Sequence, residues 1–130
     1  VPAQLNHTIV HCRDAVRSST FLADVLGLAP PVSFGPFQVV ELANGASLDF
    51  MTTGPEYDFL PEHYAFLVSD PEFDEIFGRI QERGLPYAAD PHGNEPGEIN
   101  HHDGGRGVYW DDPDGHRLEI ITVPYGGWPA

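Results

Sequence analysis

Lysine is absent from this chain of 130 residues, and six arginines stand against 20 aspartates and glutamates, for a formal net charge of −14. The missing lysine excludes Schiff-base chemistry and the phosphate-binding P-loop. The acidity repels phosphate backbones and anionic lipid, so nucleic acid and membrane surfaces are poor partners. A lone cysteine, Cys12, excludes an internal disulfide and a cysteine-built zinc site. No apolar run reaches the roughly 18 residues of a spanning helix. Val1-Pro2-Ala3-Gln4 carries neither a basic nor an apolar leader, and a cytoplasmic location is expected. What is present is 41% hydrophobic and 12% aromatic residues, enough for one folded domain with a real core, and seven histidines.

Two segments repeat one another. Leu5 to Cys12 reads as a strand, followed by Asp14, a helix from Ala15 to Leu26 and Gly27. His63 to Ser69 reads as a strand, followed by Asp70-Pro71, a helix to Arg83 and Gly84. The offset between His7 and His63 is 56, as it is between Asp14 and Asp70. Both aspartates suit a helix N-cap, Pro71 the first helical position, and both glycines the residue after a helix. Strand-like pieces follow each helix: Phe37 to Leu42 and Ser47 to Thr52, then Tyr87 to Ala89, Gly107 to Asp111 and Arg117 to Thr122. The pattern predicts an α+β fold of paired βαβββ modules in a single domain, module one about 1–55 and module two about 56–130. Between Pro91 and Gly105 glycine, proline and asparagine are dense, which predicts a long loop of the kind that carries function.

Strand alternation places the polar residues. His7 shares a face with Leu5, Ile9 and His11, and His63 with Ala65 and Leu67. Asp49 and Glu119 each have bulky apolar neighbours on the reverse face. Taken singly, each fits a solvent-facing polar residue of a half-covered antiparallel strand. The equivalence of His7 with His63, and of Asp49 with Glu119 on each module's last strand, favours a metal site of two histidines and one or two carboxylates. In the C-terminal hairpin, Pro113-Asp114-Gly115 suits a three-residue loop. Asp112 then faces His116, and Tyr109 pairs with Glu119 on one face, either as an ordinary cross-strand pair or as an acid, base or substrate clamp beside a ligand carboxylate.

From Leu5 to Val123 these residues resemble the vicinal oxygen chelate superfamily of glyoxalases, bleomycin-binding proteins, fosfomycin-resistance transferases and extradiol dioxygenases. The strongest pieces are Leu5-Asn6-His7, His63-Tyr64-Ala65-Phe66 and Asp112-Pro113-Asp114-Gly115-His116-Arg117-Leu118-Glu119. The resemblance implies βαβββ modules curled around a metal cleft, with ligands at His7, His63 and Glu119. A fourth glyoxalase-type ligand position falls on Asp49, where an aspartate replaces the usual glutamate or glutamine. His102, Val108-Tyr109, Asp112-Pro113, Gly115 and Glu119 follow the extradiol dioxygenase pattern, which implies His102 as acid/base and Tyr109 as hydrogen-bond donor to substrate. A one-residue shift gives His101 that role. Glu75 to Ile80 and Pro96 to His101 are similar to the small ChaP-type oxygenases that tailor aromatic polyketides.

The reading that follows is a non-haem Fe(II)-dependent dioxygenase that cleaves or rearranges a C–C bond of an aromatic diol or polycyclic aromatic polyketide. It would use O2 and exist as a homodimer. The catalytic residues are His102, Tyr109 and Asp49; the ligands His7, His63 and Glu119 hold Fe(II) or, in its place, Mn, Zn or Ni. Phe34, Phe37 and Trp110 suit either an aromatic pocket or the core. The rivals are a glyoxalase-like isomerase or epimerase, which consumes no oxygen, and a drug-binding resistance protein, which needs no metal. A fosfomycin-type transferase is disfavoured by the scarcity of cationic groups.

Overall fold

A computed structural model describes residues 2–127. The chain divides into two compact units, one up to Leu60 and one from Pro61 onward. Each is a βαβββ module. The first contains β1 (His7–Cys12), α1 (Ala15–Leu26), β2 (Val32–Phe34), β3 (Phe37–Glu41) and β4 (Ser47–Thr52), in sheet order β1-β4-β3-β2. The second contains β5 (His63–Leu67), α2 (Asp70–Glu82), β6 (Tyr87–Ala88), β7 (Gly107–Asp111) and β8 (Arg117–Ile121), in the matching order β5-β8-β7-β6. The first strand of each runs parallel to the last, and the remaining pairs are antiparallel. This is the paired architecture that the repeat predicts, with β2 added; Val32–Phe34 is a short, exposed edge strand that carries no buried face for a sequence pattern to reveal.

Local chemistry sets the helix ends. Asp14 caps α1 by accepting from the Arg17 N–H at 3.1 Å, and Gly27 ends it in the left-handed region at φ 72. The cap of α2 is Ser69, one residue earlier than expected from Asp70. Its hydroxyl accepts from the Glu72 N–H at 3.2 Å, and the Glu72 carboxylate accepts from the Ser69 N–H at 2.8 Å. This reciprocal pair satisfies two otherwise orphaned donors and outcompetes Asp70 for the cap. Asp70 instead receives Arg106, which also binds Asp74 and lies over the Phe73 ring.

Each sheet buries an apolar face. In the first unit Val10, Val40, Leu48 and Phe50 join Leu22 and Val25 of α1 in the core. In the second, Val108, Trp110, Leu118 and Ile120 are buried, as are Phe73, Ile76 and Ile80 of α2. Alternation therefore sends His7 and Asp49 to the opposite face of the first sheet, and His63, Tyr109 and Glu119 to that of the second. Among the described residues no helix is long and apolar enough to cross a membrane.

Candidate metal centre

The hairpin that presents Glu119 is locked from within. Asp112 Oδ1 accepts from the backbone N–H groups of Asp114 and His116, and Gly115 takes φ 85 to close the three-residue turn. The buried His116 ring accepts the Glu62 N–H on Nδ1 at 2.8 Å, which ties the turn to the start of β5. His116 is thus a structural histidine. The register that results pairs Tyr109 with Glu119 and Ala65 with Glu119, the former as the hairpin predicts.

Glu119 is fully buried, and its Oε1 atom is heavily used. The Tyr125 hydroxyl donates to it at 2.5 Å, and His63 Nε2 lies 3.0 Å away. Tyr109 places its hydroxyl 3.3 Å from that of Tyr125. Because Tyr125 spends its proton on Glu119, its oxygen is left to accept from Tyr109, giving a relay Tyr109 to Tyr125 to Glu119. Burial, then the bonds to Tyr125 and Glu119, pushes the Tyr109 phenol far above the ordinary phenol range, and burial followed by Glu119 raises Tyr125 as well. Both phenols therefore stay protonated at neutral pH. Tyr109 is a donor here and not a base, which narrows the roles that the sequence left open.

Two features fit a cation. The Glu119 Oε2 atom is buried without a hydrogen-bond partner among the described residues, a costly state for a carboxylate oxygen. His63 Nδ1 lies 3.1 Å from the Arg117 carbonyl, which can only accept, so Nδ1 carries a proton. In the neutral ring Nε2 then presents a lone pair to Glu119 Oε1, and two lone pairs facing each other require a proton or a metal ion between them. Donor atoms bound at right angles to one ion, each about 2.1 Å from it, sit about 3 Å apart, as these do. A ligand histidine whose other nitrogen donates to a backbone carbonyl is the usual way of fixing the metal-binding tautomer.

The other predicted residues have the following surroundings within their own units. His7, exposed on β1, has Nδ1 2.7 Å from Asn6 Oδ1, which leaves Nε2 as its lone-pair nitrogen. Asp49 accepts the Ser47 hydroxyl at 2.7 Å. His102 is exposed on a 3-10 turn, His102–Gly104, and His101 on the residue before it. Phe34 and Phe37 belong to the first sheet, with Phe34 exposed, whereas Trp110 is buried in the second. Among the described residues no group of three or more His, Cys, Asp or Glu side chains is gathered to hold an ion. The second unit brings together His63, Glu119 and Tyr109, and adds Tyr125. The sequence reading missed Tyr125, whose signal is the Pro124-Tyr125-Gly126-Gly127 turn directly after the last strand. That turn is held by the Asp103 carboxylate, which accepts the Gly126 N–H at 3.0 Å while Asp103 adopts a left-handed φ of 55.

The model of the Glyoxalase/Bleomycin resistance protein/Dioxygenase superfamily matches residues 4–120. The solved structure of Oxidase ChaP-H1 is 64% identical, covers 96% of this chain and 99% of its own, and superposes with a TM-score of 0.92. Oxidase ChaP-H2 is 56% identical over 98% of each chain, with a TM-score of 0.93. A lactoylglutathione lyase from Agrobacterium tumefaciens, 18% identical over 92% of this chain and 93% of its own, shares the fold with a TM-score of 0.69.

Proposed function

The chain belongs to the glyoxalase, bleomycin resistance protein and dioxygenase superfamily, and from that premise we propose that it is a non-haem Fe(II)-dependent dioxygenase. Its substrate would be an aromatic diol or polycyclic aromatic polyketide, in which a C–C bond is cleaved or rearranged. Similarity to two ChaP oxidases across nearly the whole chain supports an oxygenase-type tailoring enzyme. The observation that carries the metal is the 3.0 Å approach of His63 Nε2 to Oε1 of a Glu119 carboxylate whose buried Oε2 has no hydrogen-bond partner among the described residues.

His63, Glu119 and His7 are the assigned ligands, a 2-His-1-carboxylate set that leaves open positions for substrate and oxygen. Such a bound ion supplies Lewis acidity, lowering the pKa of a substrate hydroxyl, and a place for oxygen beside it. The protein's own groups do the rest. The Arg117 carbonyl orients the His63 ring, and Tyr125 holds Glu119 Oε1, the oxygen that lies against His63 Nε2. The Tyr109 ring stacks 5.9 Å from that of His63, and its one hydroxyl proton, given to Tyr125 in the free protein, turns to a substrate oxygen when substrate binds. His102 and Asp49 are assigned to proton transfer, His102 on its exposed turn meeting the substrate when it binds.

His7 belongs to the first unit and the other two ligands to the second. We assign the active form as a homodimer with two clefts, each drawing His7 either from the chain that supplies His63 and Glu119 or from the other copy. Mixing a His7→Ala chain with a Glu119→Ala chain restores activity if sites are shared between copies; no recovery in verified mixed dimers places each site within one chain. The deciding experiment is oxygen uptake by anaerobically purified protein loaded with ferrous iron, against a panel of catechols and hydroxyquinones. Uptake coupled to ring cleavage is expected. Metal binding with turnover but no oxygen consumption would put a glyoxalase-like isomerase in its place.

A further inference from the structure

The second unit contains a cleft of about 320 Å³ alongside β6 and β7. Its walls include Tyr87, His92, Tyr109, Trp110, Asp111 and Arg117. Tyr109 belongs both to this cleft and to the His63–Glu119 site, so the two share a wall. Arg117 lies on the same strand and face as Glu119, two residues and about 7 Å away.

The chain has six arginines and no lysine, so each cation is informative. Arg106 is consumed by Asp70, Asp74 and the Phe73 ring, and Arg13 by the carbonyls of Thr53, Gly54 and Tyr57. Arg117 differs. Asp111 receives its Nε, which fixes the plane of the guanidinium. Among the described residues its two terminal nitrogens have no hydrogen-bond partner, and the side chain lines the cleft. The other carboxylate there, Asp90, is turned to the backbone N–H groups of His92, Asn94 and Glu95. A planar cation with a free fork, lining a cleft that also has Tyr109 in its wall, is equipped to bind an anionic oxygen on an aromatic ligand. A neutral aromatic would offer that fork no charged acceptor.

We propose that the substrate is an anionic aromatic, with a carboxylate or comparable anionic oxygen held by Arg117 at the end remote from the reacting diol, and its rings in the cleft against Tyr109. This rests on the reading of the His63–Glu119 site as the anchor of the diol.

Calorimetric titration of the full-length protein with 2,3-dihydroxynaphthalene and with 2,3-dihydroxynaphthalene-6-sulfonate tests it, since the two differ only in the remote anion. The parent protein binds the sulfonate about tenfold more tightly or better. Arg117→Gln abolishes that preference while its affinity for the neutral diol stays unchanged, which also shows that the variant is folded. Arg117→Lys retains part of the preference. Equal binding of both diols by the parent, binding of neither, or a parallel loss of both in Arg117→Gln overturns the proposal. Glu119→Gln separates it from the reading beneath it: that variant weakens both diols equally and keeps the preference. If it leaves both affinities untouched, the diol is not anchored at Glu119, and the Arg117 assignment stands on the preference alone.

Discussion

The two modules place a carboxylate at the same point of the same sheet and use it differently. Asp49 pairs with Ile9, two residues past His7, and Glu119 pairs with Ala65, two residues past His63. Yet Glu119 meets its histidine at 3.0 Å, while Asp49 turns to Ser47 and His7 to Asn6. The cross-strand neighbour of Asp49 is Val39, and that of Glu119 is Tyr109. The second module also has the turn carrying Tyr125, which folds its hydroxyl onto Glu119. One methylene, one phenol and one trailing turn separate a half-exposed strand carboxylate from a fully buried one. A duplicated fold thus supplies equivalent positions, and the local shell decides which of them becomes costly enough to demand a partner.

The largest expected effect breaks the comparison directly. Glu119→Gln removes the buried carboxylate assigned to the metal, and metal affinity falls by more than about a hundredfold, beyond what loss of a supporting residue produces. Asp49→Asn leaves affinity unchanged, because Asp49 faces Ser47. Calorimetry with ferrous iron under anaerobic conditions reads both. Equal losses in the two variants would mean that both carboxylates are ligands and that the asymmetry closes when the ion binds.

A second difference is the connection between the inner strands. β2 and β3 are joined by Gly35-Pro36, whereas β6 and β7 are joined by residues 89–106, which carry His101 and His102. His102→Ala keeps iron and loses about a hundredfold or more in turnover, the usual contribution of a positioned acid or base. His101→Ala is milder. Single-turnover oxygen consumption on iron-loaded variants checks this, and a collapse in His101→Ala with normal turnover in His102→Ala would exchange the two.

Much of this was legible in the sequence because it is periodic. The 56-residue offset gave both modules, and the alternation of Leu118, Glu119 and Ile120 gave the face on which Glu119 lies. The Pro113-Asp114-Gly115 turn gave the Tyr109–Glu119 register. What escaped is aperiodic. Ser69 displaced Asp70 as the cap through a bond to Glu72 that only the folded backbone completes. Tyr125 follows the last strand, where no alternation indicates direction, and the free fork of Arg117 depends on which nitrogen Asp111 receives.

Tyr125→Phe sharpens the comparison by giving Glu119 a shell nearer to that of Asp49. The carboxylate keeps its burial but loses its hydroxyl donor, and metal affinity falls about 10- to 100-fold, typical of an outer-shell partner. Unchanged affinity would make Tyr125 only a cover.

The phenols offer a pH test confined to the second unit. Burial is the first cause of the raised values of Tyr64, Tyr109 and Tyr125. A phenol whose folded pKa lies above its unfolded value of about 10 contributes stability that is fully present below that pH. The contribution is lost as pH rises through the folded value. Alkaline titration of phenolate absorbance therefore shows Tyr64, Tyr109 and Tyr125 ionising late and together with unfolding. In Tyr109→Phe that late group shrinks by one.

The smallest effect contrasts the two helix caps. α1 relies on Asp14 alone, whereas α2 has the reciprocal Ser69–Glu72 pair. Ser69→Ala costs about 1 kcal/mol, as does Asp14→Ala, since each removes one acceptor from an orphaned N–H. Glu72 separates the caps by pH. The Ser69 backbone N–H, followed by the Ser69 hydroxyl, holds its carboxyl below the usual carboxylate range. A depressed folded pKa contributes stability that is present above the unfolded value of about 4.3 and lost as pH falls through the folded value. Glu72→Ala therefore lowers Tm at neutral pH, and the gap to the parent protein closes as the solution is made acidic. The exposed position keeps the shift small, so thermal melts at matched ionic strength are needed to see it. A gap of constant size across that range would mean that Glu72 supports α2 through helix propensity and not through its charge.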